Sequence, residues 1–163
     1  MDINQSLAVA ASNGDEELCK QLVADGADVN YSSDIDGDTA LIASAGEGHY
    51  GIVTLLVEHG AIVDKKNDEG WTALMTAASG GHVDIINYLF DEGALIEHVD
   101  VKGYTPLFMA VDNCHFNAVN CLIKLGANLG HKCYAGELAV NLATRKRRPE
   151  RPDIVQILRD GYE

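Results

Sequence analysis

The stretch that decides the fold is residues 70–94, G-W-T-A-L-M-T-A-A-S-G-G-H-V-D-I-I-N-Y-L-F-D-E-G-A. Thr72 supplies a hydroxyl able to cap a helix, and the run from Ala73 to Ala78 is small and largely apolar. Two glycines and His82 break that run, after which Ile85, Ile86 and Leu89 recur at helical spacing as far as Gly93. The pattern predicts two short helices joined by a tight turn, with Gly93 in the left-handed position that ends the second. Neither helix can bury its apolar face within so short a unit, so the unit must repeat.

It does repeat. Gly37, Gly70, Gly103 and Gly136 are each 33 residues apart, and His49, His82 and His115 keep the same step. A further series, Gly26, Gly60, Gly93 and Gly126, follows it apart from one extra residue in the first interval. Aligned on these landmarks, the chain reads G-D-T-A-L-I-A-S-A from Gly37, G-W-T-A-L-M-T-A-A from Gly70 and G-Y-T-P-L-F-M-A-V from Gly103. G-H-Y-G-I-V-T-L-L-V-E-H-G-A from Gly48 and G-H-V-D-I-I-N-Y-L-F-D-E-G-A from Gly81 complete the units. These motifs resemble the ankyrin-repeat family over nearly the whole chain. The expected fold is an all-α ankyrin-repeat solenoid of five 33-residue helix-turn-helix units with projecting β-turn or hairpin loops. Within a single domain spanning 1–163, the repeats are placed at 2–33, 34–66, 67–99, 100–132 and 133–163.

Local physics supports that placement. Thr39, Thr72 and Thr105 are candidate caps, Pro106 occupies a tolerated first helical position, and Leu41, Leu74 and Leu107 fill the layer between neighbouring first helices. Repeat one has no preceding turn, and repeat five carries the insertion R-P-E-R around Pro149 and loses its threonine, so both ends are expected to cap the stack. Two positions depart from the family pattern. Ile42, Met75, Phe108 and Asn141 replace its usual histidine, and Cys114 stands where Gly14, Gly48 and Gly81 turn the chain, which predicts a side chain held at positive φ.

Composition narrows the function. The chain of 163 residues is 47% apolar and carries 25 acidic against 12 basic residues, a net charge of −13. That excess disfavours nucleic acid and anionic membrane surfaces as partners. The longest uncharged run, Gly70 to Val83, is 14 residues, shorter than the roughly 18 that cross a bilayer. Met1 to Cys19 lacks the basic start of a signal peptide, so a cytoplasmic or nuclear location is expected. Cys19, Cys114, Cys121 and Cys133 form no C-x-x-C pair and read as reduced thiols.

Charge is uneven along the chain. Residues 1–144 hold 21 acids and 6 bases, whereas 145–163 hold 4 acids and 6 bases, including Arg145, Lys146, Arg147, Arg148 and Arg151. That basic cluster reads as a helix-terminal cap or, alternatively, an import signal.

No catalytic or metal constellation emerges. His49, His82 and His115 are a full repeat apart, too far for one ion; Asp34, Asp36 and Asp38 resemble part of a calcium loop without its closing glutamate. No nucleophile elbow, zinc-protease motif or phosphate-binding glycine loop occurs. The chain is therefore expected to be no enzyme, to use no cofactor, and to be a monomer. The resemblance implies an adaptor or scaffold that binds a protein on its concave face; the alternatives are a stoichiometric kinase inhibitor and the targeting domain of a larger enzyme or channel.

The expected docking surface joins turn residues Ile35, Asp36, Asp38, Asp68, Glu69, Trp71, Val101, Lys102, Tyr104 and Tyr134 to first-helix residues Glu47, Ser79, Asp112 and Asn113. Trp71 and Tyr104 are read as projecting aromatic anchors amid acids, suited to a partner with a basic rim around an apolar anchor; the alternative is that they lie flat over the neighbouring turn and stiffen the stack. Asn30 lies in L-V-A-D-G-A-D-V-N from Leu22, a context that resembles substrates of an oxygen-dependent asparaginyl hydroxylase; otherwise it is a turn asparagine bonding its own backbone.

Overall fold

Short helices follow wherever a capping or turn residue interrupts the apolar pattern. The computed structural model describes residues 2–144 and 151–161. Among these the elements are α1 Ile3–Asn13, α2 Glu16–Ala24, α3 Ala40–Glu47, α4 Tyr50–Glu58, α5 Ala73–Gly80, α6 Val83–Asp91, α7 Pro106–Asp112, α8 Phe116–Lys124, α9 Ala139–Ala143 and α10 Pro152–Asp160. The odd-numbered first helices pack in one row and the even-numbered second helices in another, each pair resting on the next. The protein is an all-α solenoid.

Thr39 and Thr72 start α3 and α5 by accepting from the amides of Ile42 (3.2 Å) and Met75 (3.4 Å). Thr105 makes no such bond; Pro106 fixes the first turn of α7 instead. Asn141 closes α9 from the other side, its Oδ1 accepting from the Leu138 amide at 2.7 Å. Gly14, Gly48 and Gly81 end their helices at φ 77°, 81° and 79°, and Cys114 holds the same turn at φ 60°. The glycines are needed twice over. A Cβ on Gly14, Gly48 or Gly81 would lie 2.6, 2.5 or 2.7 Å from the ring of His49, His82 or His115 in the following repeat. At the matching place beyond Cys114 stands Arg151, whose Nη1 donates to the Cys114 carbonyl at 2.5 Å, so a side chain is tolerated there.

The core forms between repeats rather than within them. Leu41, Leu74 and Leu107 are buried to 1% or less, alongside Ile52, Ile85, Ile86, Leu89 and Leu122 from the second helices. Ala45, Ala77, Ala78 and Ala110 let neighbouring first helices approach closely. At Gly80 even a methyl would meet the Gly46 carbonyl at 2.6 Å.

Side chains also tie successive repeats. His49 Nε2 pairs with the Ser12 carbonyl at 3.1 Å and His82 Nε2 with the Gly46 carbonyl at 2.9 Å. Asn30, Asp64 and Glu97 accept from the Ile62, Leu95 and Asn128 amides at 2.7, 3.1 and 2.8 Å.

At the first end of the stack Val9 and Leu18 are 47% and 40% exposed. Of the basic cluster, Arg145 to Arg148 lie outside the described residues. Arg151 precedes α10, and its charge serves the carboxyl end of the neighbouring α7 as well as Asp153, 2.7 Å away.

Candidate functional site: the face of turns and first helices

The turns at Asn67 and Asp100 are each built by a side chain that bonds its own backbone. Asn67 Oδ1 accepts from the Glu69 and Trp71 amides (3.1 and 2.8 Å), and Asp100 Oδ1 from those of Lys102 and Tyr104 (both 2.8 Å). Asp100 is consequently satisfied although only 4% exposed. Turn then binds turn: the amides of Asp68, Val101 and Tyr134 donate to the carbonyls of Asp36, Glu69 and Lys102 at 3.1, 3.1 and 3.0 Å. The loops therefore form a ladder of single bonds, with one isolated bridge between Lys132 and Leu138.

This ladder sets the anchors differently from the sequence expectation. Ile35, Val101 and Tyr134 do project, at 91%, 56% and 73% exposure. Trp71 and Tyr104 do not; both are half-buried against the core. Tyr104 stacks on Phe108 at 5.1 Å between ring centroids, and His131 meets Phe108 edge-on at 5.8 Å. The backbone amides of Trp71 and Tyr104 are held by the turn, and their rings pack against the core.

The structure brings Asp38, Glu47, Trp71 and Ser79 around one groove between α3 and α5, of about 290 Å³, floored by Ala43 and Gly46. Thr76 closes it by donating to the Ile42 carbonyl at 3.0 Å. Asp38 is half-buried: desolvation pushes its carboxyl pKa up, the bond from Asn67 Nδ2 at 2.7 Å opposes that, and Asp36 and Asp68 push it further up. Asp36, Glu47, Asp68, Glu69 and Lys102 are exposed along the same face. Asn113 bonds Ser79 Oγ at 3.0 Å, joining the next repeat to the groove, with Asp112 half-buried beside it in sequence. Ile35 and Tyr134 lie at opposite ends of the ladder and share no site.

Asn30 is placed elsewhere, on the edge below the second helices. Its amide does not serve its own backbone: Nδ2 donates to the Gly60 carbonyl at 3.0 Å and Oδ1 accepts from Ile62. Lys65 Nζ also bonds the Asn30 carbonyl.

Sequence reasoning missed Val9 and Tyr31, which line a depression at the first repeat with Ile35. The available signal was an aliphatic Val9 at a position where the next two repeats have Ala43 and Thr76.

Among the described residues no cluster of three His, Cys, Asp or Glu side chains could hold a metal, and no helix is long and apolar enough to cross a membrane. All four cysteines are free. Burial, then Asp15 and Glu16, raise the Cys19 thiol pKa to about 11, leaving it protonated at neutral pH.

A stack of helical pairs with laddered turns defines the class of repeat solenoids. The family description "Ankyrin repeats (3 copies)" matches residues 7–100, and "Ankyrin repeats (many copies)" matches 81–123. The chain belongs to the ankyrin-repeat family. Two Rickettsia felis (strain ATCC VR-1525 / URRWXCal2) proteins named as ankyrin-repeat proteins, RF_p14 and RF_pd14, are each 45% identical to it over 53 residues. That stretch is 32% of this chain and 82% and 79% of theirs. Ankyrin repeats are in general protein–protein interaction modules.

Proposed function

We propose that the protein is a non-enzymatic docking module that receives a protein partner on the face of turns and first helices, with a basic side chain of that partner entering the groove at Trp71. One observation carries this reading. Two carboxylates, Asp38 and Glu47, line a groove walled by an indole and floored by small residues. Among the described residues no ion pair engages Asp36, Asp38, Glu47, Asp68 or Glu69. An aromatic wall with uncompensated carboxylates suits an arginine or lysine, through both charge and cation–π attraction. The exposed acids then meet the basic rim, while Val101 and Tyr134 offer apolar contact.

The test uses Glu47→Lys, which reverses an exposed charge without touching the core. Wild type and variant are immobilised and challenged with extract of the source cell, and bound proteins are quantified by mass spectrometry. A partner that requires the groove is retained about tenfold less by the variant, at an unchanged melting temperature. Equal retention of every bound protein by the two forms overturns the reading.

A further inference from the structure

Two neighbouring contacts in the row of second helices differ. Between α4 and α6, Tyr50 and Tyr88 meet edge to face, with ring centroids 5.7 Å apart and planes at 67°. One repeat further on, between α6 and α8, the same two positions are held by Val83 and Cys121. These line an open groove of about 420 Å³. Since α6 and α8 stack there without an aromatic pair, packing does not require the tyrosines. Nor are they hidden. Tyr50 is 43% exposed and Tyr88 half-buried, so two rings of different orientation border one corner of the surface.

Acids surround that corner. Residues 50–59 and 83–92 hold Glu58, Asp84, Asp91 and Glu92, all exposed, and no lysine or arginine. Among the described residues no ion pair engages any of the four. Burial, then Glu92 and Glu58, raise the Tyr88 phenol pKa, which places both carboxylates within electrostatic reach of that ring.

We infer that the Tyr50–Tyr88 corner is a second docking site, on the row of second helices, which receives an arginine side chain of a protein partner. Shape and charge choose the occupant together. A guanidinium is planar and weakly hydrated, so it lies against an aromatic face while its N–H fork reaches a carboxylate. A lysine ammonium holds its water more tightly and gains less from the rings. An acidic segment is repelled by the four carboxylates. The groove at Trp71 belongs to the row of first helices, and this site stands without it.

The probe is the blocked tripeptide Gly-Arg-Gly, titrated into the full-length chain carrying isotope-labelled tyrosine while ring and amide resonances are followed. Saturable shifts at Tyr50 and Tyr88 are expected, shrinking as salt is added. The same tripeptide with citrulline, which keeps the shape and loses the charge, leaves both rings unmoved; with lysine it binds more weakly than with arginine. Tyr50→Leu, at an exposed position, weakens binding about threefold or more, whereas Tyr50→Phe keeps it. Glu58→Lys combined with Glu92→Lys weakens it through charge alone, and decides should Tyr50→Leu lower the melting temperature. Wild-type affinity in that double variant, equal binding of the citrulline or lysine peptide, shifts confined to Glu47, Trp71 and Ser79, or movement of both tyrosine rings on concentrating the protein without peptide would each overturn the inference.

Discussion

Repeats three and four reach one geometry by different means. In repeat three the chain itself supplies the instructions: Thr72 caps α5, small residues line it, and Gly81 turns it. Repeat four has no capping bond at Thr105, a bulkier first helix, and Cys114 at φ 60° in place of the glycine. What it has instead is packing, with Phe108 in contact with both Tyr104 and His131, and Met109 and Val111 exposed by only 4% and 1%. His131 Nε2 further pairs with the Gly103 carbonyl at 2.9 Å, tying the end of the repeat to its beginning. Specification has moved from local backbone preference to contacts between side chains far apart in sequence. A 33-residue unit can thus lose several of its signals and keep its fold.

The largest test of that contrast is Phe108→Ala. Removing a ring buried to 1% is expected to cost about 3–5 kcal/mol and about 10 °C in melting temperature, and to loosen Tyr104 and His131 with it. Met75→Ala at the same place in repeat three is expected to cost less, because no aromatic cluster depends on it. Urea unfolding that ranks the two the other way would break the comparison.

The next test exchanges the turns. Gly81→Ala brings a Cβ to 2.7 Å from His115 at φ 79°, and is expected to cost about 2 kcal/mol or more. Cys114→Gly relieves the strain where no histidine presses, and is expected to stabilise by roughly 0.5–1 kcal/mol, less the entropy the unfolded glycine chain gains. Thermal unfolding of the pair checks both signs; a lower melting temperature for Cys114→Gly would show that the cysteine side chain is itself a favourable contact.

The smallest effect depends on pH. Burial and its acidic neighbours raise the Asp38 carboxyl pKa in the folded chain, so the charged form is penalised on folding at neutral pH and unpenalised once pH falls below the ordinary carboxylate range, near 4. Asp38→Asn keeps an acceptor for Asn67 and is expected to gain roughly 0.5 kcal/mol at pH 7 and nothing at pH 3. A gain that persists at acid pH would mean that charge is not its source.

What the sequence disclosed follows the same division. The glycine and histidine ladders, the threonine starts and the left-handed Cys114 were readable because each is a rule about one residue and its immediate neighbours. For Trp71 and Tyr104 the sequence left two readings open, projecting anchors or rings laid flat, because only the packed stack shows both rings half-buried against the core. Asn30 was legible as a turn residue; that its amide serves the next repeat depends on register between units, which no single unit encodes. The groove joining Asp38, Glu47 and Trp71 likewise exists only once repeats two and three are stacked.

Near-identical units face a hazard of misassembly, in which one repeat slips past its proper neighbour and pairs with the next. The bonds that occur at one interface only guard against this. Thr76 reaches the Ile42 carbonyl, Asn113 reaches Ser79, Cys121 Sγ donates to Asn87 Oδ1 at 3.3 Å, and Asn30 both donates and accepts across the first interface. Asp64 and Glu97, which hold the Asn30 position in later repeats, can only accept when ionised. A slip of 33 residues would keep most of the apolar contacts but set Met109 against Ile42, where a thioether cannot donate to the carbonyl that Thr76 reaches. The irregularities in the repeat act as an address for each unit, and a chain rebuilt from five copies of repeat three would fold without one.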